Sequence, residues 1–169
     1  EKNLDYVLRV LSRINTKVVF DIYGWTADLE YWKECKKLIQ KLPNNITVNY
    51  LGSVKPNKVI DVFSSYDLFF FPTKGENYGH VIAESLTAGT PVLISNNTPW
   101  RNLQVVQMGW DFSLEKMDPF IDIIKKISLM SVKDRLKIRE IIKLKIKDHL
   151  LDPDVVEANR QLFLKQIKQ

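Results

Sequence analysis

Two carboxylates raise the question of chemistry. In "FFFPTKGENYGHVIAESLTAGTPVLIS", residues 69–95, Glu76 and Glu84 stand with seven residues between them. Glu76 sits in a polar loop beside Gly75, and Glu84 lies inside a helical pattern. Asn77, Tyr78 and Gly79 follow the first acid, where the loop turns into the helix. Free backbone N–H groups at a helix start, with about half a unit of positive charge from the aligned peptide dipoles, suit a phosphate. Gly79 has no side chain to block a close approach. Side chains in a helix lean toward its N-terminus, so Glu84, a turn beyond His80 and Val81, can reach the pocket mouth that Glu76 lines. One ligand could then touch both acids, with phosphate at the helix start and hydroxyls on either side. A sugar nucleotide, built of base, ribose, diphosphate and sugar, has that layout. A purely structural reading stands beside it: Glu76 can simply favour the helix dipole, and Glu84 can pair with a lysine.

The flanking elements must hold those acids in place. "NLDYVLRVLSRI" carries Leu4, Val7, Leu8, Leu11 and Ile14 at helical spacing. "KVVFDIYG" is a β-branched and aromatic strand, and "ADLEYWKECKKLIQKLP" a helix stopped by Pro43. "ITVNYLG" is a second strand, and "KPNKVIDVFSSY" a short helix with Pro56 in its first turn, where no donor is lost. "LFFFPT" and "PVLISN" are strands on either side of a helix over about 78–88, with Gly89 as its C-cap. "TPWRNLQVVQM" reads as helical, "GWDFSL" as a last strand, and two or three helices fill 116–168. Strands that alternate with helices and are apolar throughout predict an α/β fold, a doubly wound parallel sheet covered on both faces. The expected sheet contains 17–24, 46–52, 68–73 and 91–96. Ligands of such sheets bind at the carboxyl ends of the strands, so the loops after 24, 52, 73 and 96 are the ones to watch.

Length and composition bound the rest. A chain of 169 residues suggests one domain, or half of a larger protein. It buries enough surface to fold without disulfides or metals. Cys35 is the only cysteine and reads as a packing residue, which excludes an internal disulfide and a cysteine metal cluster and suits a reducing compartment. No signal peptide and no apolar run of about 18 residues is present. A cytoplasmic setting is therefore expected. The net charge of +5 gathers in "KDRLKIREIIKLKIKDHL", a basic helix that is either a solvated face or a peripheral contact with anionic lipid at the inner membrane face, or with a partner. Nucleic acid is not expected as a partner, because aromatic and basic residues do not interleave. Trp25, at a strand end, can flank the pocket or pack on its own loop. Trp32, Trp100 and Trp110 read as core or rim aromatics, and His80 as a rim residue.

"EKNLDYVL", "YLGSV", "YDLFFFPTKGENYGHVIAESLTAGTPVLIS" and "GWDFSL", in this order and at these intervals, resemble the C-terminal half of retaining glycosyltransferases of family 4, which have the GT-B fold. The resemblance covers roughly residues 1–115 and is most specific over 66–95. It implies a single donor-binding domain, Rossmann-like, with a helical region from about 116 to 169. It implies that Glu76 is the catalytic-site acid that contacts the hydroxyls of the transferred sugar, and that Glu84 holds the ribose. Backbone N–H groups of Asn77, Tyr78 and Gly79 would approach the sugar and diphosphate. Lys2 would contact the diphosphate, and Gly52, Ser53 and Val54 would border the base. The family transfers by front-face attack within an ion pair. That needs no metal and no cofactor beyond the nucleoside diphosphate sugar, and the acceptor is a glycan or a lipid-linked molecule.

The sequence departs from the pattern at its start and in one internal stretch. The family has a strand and an arginine just upstream of "EK", and an N-terminal acceptor domain as partner; this chain starts after all three. It carries Arg101 and Asn102 where the family often has a glutamate. The expectation is a half-enzyme that binds donor weakly and does not transfer alone. Other readings are a GT-B epimerase or phosphorylase, the latter needing a pyridoxal cofactor, and a non-catalytic doubly wound binding module.

Overall fold

The computed structural model of the chain describes residues 2–151. The amphipathic opening stretch forms α1 (Leu4–Leu11), with Val7, Leu8, Val10 and Leu11 buried. β1 (Val18–Tyr23) follows, then α2 (Leu29–Ile39). Asp28 starts α2 as its N-cap, its carboxylate accepting from the Tyr31 N–H at 2.9 Å. β2 (Ile46–Gly52) leads to a 3-10 turn, Pro56–Lys58, and α3 (Val59–Ser64). β3 (Phe69–Phe71), α4 (His80–Thr87), β4 (Val92–Ser95) and β5 (Gly109–Phe112) come next. α5 (Asp118–Ser128) and α6 (Val132–Leu151) complete the described elements; the helical expectation for 152–168 lies outside the described residues.

All strand pairs among these elements are parallel. Successive side chains of a strand point to opposite faces, and β4 shows the consequence. Leu93 joins Phe70, Phe120, Ile121 and Ile124 and the buried face of α1 in one core cluster. Val92 and Ile94 join Phe71, Ile82, Leu86, Ile142 and Ile146 in the other. The β3–β4–β5 sheet is therefore covered on both faces, by α1 and α5 on one side and α4 and α6 on the other. Cys35 is fully buried in α2, as a packing residue should be.

Two expectations are corrected. The strands do not form one continuous sheet: β1 and β2 make one, and β3, β4 and β5 another. The chain passes from β2 through α3 to β3 without laying β3 along β1. Side chains link the two instead, with the Tyr66 hydroxyl donating to the Asp21 carboxylate at 2.5 Å and lying 2.8 Å from the Tyr23 hydroxyl. Secondly, "TPWRNLQVVQM" is not a helix but a chain of turns. Asn102 and Gln107 both have positive φ, which ends any right-handed helix there. Its apolar spacing reflects packing instead: Trp100, Leu103 and Met108 are buried in the second cluster.

Candidate functional site

The loop between β3 and α4 is fixed before any ligand arrives. Thr73 is fully buried, its hydroxyl donating to the Gly75 carbonyl at 2.8 Å, and its own carbonyl accepts from the Ser95 hydroxyl on β4. The Glu76 N–H donates to the Asn97 carbonyl at 3.2 Å, which ties the acid's backbone to the end of β4. A third tie comes from the start of the chain. Asn3 is buried in a left-handed conformation, and its side-chain amide donates to the Pro72 carbonyl at 2.9 Å. That anchor sets Lys2 beside Glu76.

Lys2 Nζ lies 2.8 Å from Glu76 Oε2 and 4.9 Å from the centre of the Phe71 ring. The hydrogen bond from Lys2 is the main cause that holds the Glu76 carboxyl below its usual range, against the opposing effect of burial; the lysine charge, the Asn77 N–H and the His80 charge add to it. A cavity of about 430 Å³ opens here, lined by Lys2, Lys74, Gly75, Glu76 and Asn77. It stands at the carboxyl end of β3, where an α/β sheet is expected to take its ligand.

The other residues singled out from the sequence do not line this cavity. Glu84 is half-buried on α4, and its carboxylate has no ion pair or hydrogen bond among the described residues. The pairing with a lysine is therefore not what the structure has. Gly79 is the N-cap of α4, with φ +81°. Gly52 ends β2 and Ser53 and Val54 follow it; the Gly24 N–H donates to the Gly52 carbonyl at 2.9 Å. Trp25 is 85% exposed and neither packs on its loop nor lines the cavity. Tyr78 and His80 face each other, ring centres 4.4 Å apart.

Sequence reasoning missed three participants, and the bond made by a fourth residue that it read as a core or rim aromatic. Asn3, Lys74 and Asn97 hold or line the loop, as above. Trp100 is buried, and its indole N–H donates to the Tyr78 carbonyl at 2.7 Å. The asparagine in a left-handed turn was the one signal open to a reader of the sequence, since Asn tolerates that conformation. Arg101 donates to the Asn96 carbonyl and lies 3.6 Å from the buried Asp111 carboxylate, so it braces the β4–β5 loop.

Comparison with known proteins adds a lineage to this geometry. A curated relative, the uncharacterized glycosyltransferase MJ1607 of Methanocaldococcus jannaschii, is 29% identical over 100 residues, covering 57% of this chain and 24% of that one. The crystal structure of Anabaena Alr3699/HepE in complex with UDP and glucose superposes with a TM-score of 0.69 at 18% identity, over 99% of this chain and 45% of that chain. WaaG, a glycosyltransferase involved in lipopolysaccharide biosynthesis, gives a TM-score of 0.65 at 20% identity, over 91% and 40%. The chain thus spans less than half the length of these relatives. Likeness at this level shows the fold, a Rossmann-like half of the GT-B type. The family model described as glycosyl transferases group 1 matches residues 1–112, two thirds of the sequence. By that match, the chain belongs to the glycosyl transferases group 1 family.

Proposed function

We propose that this chain is the C-terminal, donor-binding half of a retaining glycosyltransferase of family 4. It moves a sugar from a nucleoside diphosphate sugar to a glycan or lipid-linked acceptor held by a second, N-terminal domain. The observation that carries this reading is the Lys2–Glu76 pair in a cavity at the carboxyl end of β3. A cation and an acid side by side match two adjoining parts of such a donor, its diphosphate and its sugar hydroxyls.

The roles follow. Glu76 accepts from hydroxyls of the transferred sugar, and Glu84, which has no partner among the described residues, takes the ribose hydroxyls. The Asn77, Tyr78 and Gly79 backbone meets the sugar and diphosphate. Gly52, Ser53 and Val54 border the base. Lys2 turns from Glu76 to the diphosphate, whose negative charge grows as the sugar departs; groups fixed in advance around that charge lower the barrier. The acceptor attacks on the face the diphosphate leaves, so configuration is retained.

Because Anabaena HepE was solved with UDP and with UDP-glucose, UDP-glucose is the first donor to try. A thermal-shift screen against UDP-, GDP- and ADP-sugars tests the reading. A donor at 100 times its Kd stabilises by about 2.7 kcal/mol. No shift with any of them overturns the donor-site assignment. The same reading includes peripheral contact with anionic lipid on the cytoplasmic face through the basic α6.

A further inference from the structure

We infer that Trp100 is a positioning residue of the donor site, which turns the Gly79 N–H outward as a fixed donor to an anionic oxygen of the diphosphate. The inference rests on the donor-binding reading above. Trp100 lies in the irregular stretch between β4 and β5, 22 residues from the carbonyl it holds. It is 7% exposed, and a turn fixes its backbone: the Thr98 hydroxyl accepts from the Trp100 N–H and donates to its carbonyl, both at 3.2 Å. The indole is thus a rigid, buried donor, and it binds the Tyr78 carbonyl at 2.7 Å.

That carbonyl belongs to the same planar peptide unit as the Gly79 N–H. In a trans peptide the two point in opposite directions, and no peptide bond here is cis. Holding the carbonyl against a buried indole therefore turns the N–H away from the packed side of the loop. The Gly79 N–H has no hydrogen-bond acceptor among the described residues. The site also requires glycine. With φ at +81°, an added Cβ would meet Ile82 Cδ1 at 2.9 Å and Trp100 Nε1 at 3.1 Å. Indole and peptide thus pack closely enough that neither can rotate alone. A donor aimed in advance needs no reorganisation when charge develops, which is what a leaving diphosphate requires.

Replacing Trp100 by 3-benzothienylalanine exchanges the N–H for sulfur at nearly constant shape; Trp100→Phe is a second, genetically simple variant. Each is labelled with ¹⁵N-glycine, which gives six backbone signals, and titrated with UDP, GDP and ADP. In the unmodified chain the Gly79 amide proton should move downfield as nucleotide binds. In the benzothienyl variant the affinity should fall about tenfold, because the Gly79 N–H is no longer held toward the charged oxygen and most of that bond is lost. The Gly79 response should shrink, that of Gly52 should persist, and the melting temperature should fall by only a few degrees, the cost of one lost hydrogen bond. A Gly79 signal that stays still at saturating nucleotide while other glycines move overturns the inference and leaves the donor site standing. So does an isosteric variant that binds as tightly as the original. If no nucleotide moves any glycine, the donor reading falls and this inference falls with it.

Discussion

Glu76 and Glu84 share a helix-and-loop unit but live in different surroundings, and their substitutions should separate. Glu84 has no partner to lose among the described residues. Glu84→Ala should therefore weaken nucleoside diphosphate and nucleotide sugar alike, by about tenfold, because both carry the ribose. Glu76→Ala should spare the diphosphate and weaken only the nucleotide sugar, and Lys2→Ala should weaken both and flatten their salt dependence. Calorimetric titration of the three variants with both ligands checks this; equal losses for both ligands in Glu76→Ala would remove Glu76 from the sugar. The same acid makes a prediction about pH. Its folded pKa is depressed by Lys2, so its stabilising contribution is complete above the unfolded carboxylate value of about 4.3. That contribution is lost as pH falls through the lower folded value. Lys2 is 63% exposed, which keeps the pair's contribution below about 1 kcal/mol. Glu76→Gln should melt slightly earlier than the original at neutral pH, and the two melting curves should converge near pH 2; a gap that widens in acid would contradict the assignment.

Elements were legible from sequence where one periodicity governed them. Val7, Leu8 and Leu11 announced α1, and the apolar runs of β3 and β4 announced buried strands. The stretch 96–108 misled because Trp100, Leu103 and Met108 repeat at near-helical intervals, although a set of turns buries them. Pairing between strands, and single bonds such as Asn3 to Pro72 across 69 residues, leave no local pattern at all. That is why the split sheet and the loop's anchors emerged only in three dimensions. β5 carries a sharp test of the packing. A Cβ on Gly109 would stand 2.2 Å from the Val92 carbonyl oxygen, a backbone atom that cannot step aside. Gly109→Ala should cost about 3 kcal/mol, the upper range for overpacking, seen as a lower urea midpoint at unchanged slope. An unchanged midpoint would mean that β4 and β5 can part freely. On α6, Leu136 and Leu144 are 55% and 67% exposed and lie among Lys133, Lys137, Lys143 and Lys147. Sedimentation with phosphatidylglycerol vesicles at low salt should pull the chain down. It should fail with phosphatidylcholine, and with all four lysines changed to Gln; equal recovery on both lipids would discard the anionic-surface role.

At the scale of the molecule, what the chain holds decides what it can do. It overlays 99% of itself on Anabaena HepE but only 45% of that protein. The pieces proposed above to face the nucleotide, namely the loop after β2, the start of α4, Glu84 and the Lys2–Glu76 cavity, all belong to these 169 residues. Among the described residues, that cavity is walled by one loop and the start of the chain. Stripping water from the sugar and aligning an acceptor hydroxyl supply much of the rate of a group transfer, and the donor-half reading proposed above gives both to the second domain. The 169-residue chain alone should therefore bind a nucleoside diphosphate sugar weakly and transfer it to nothing. Titration calorimetry reads the binding. Release of nucleoside diphosphate, followed by a coupled assay against a panel of glycans and lipid-linked acceptors, reads the transfer. Binding without release above the buffer blank is the expected pair of results. Acceptor-dependent release by the lone chain would show that the donor half carries the whole reaction, and the division of labour between two domains would have to be abandoned.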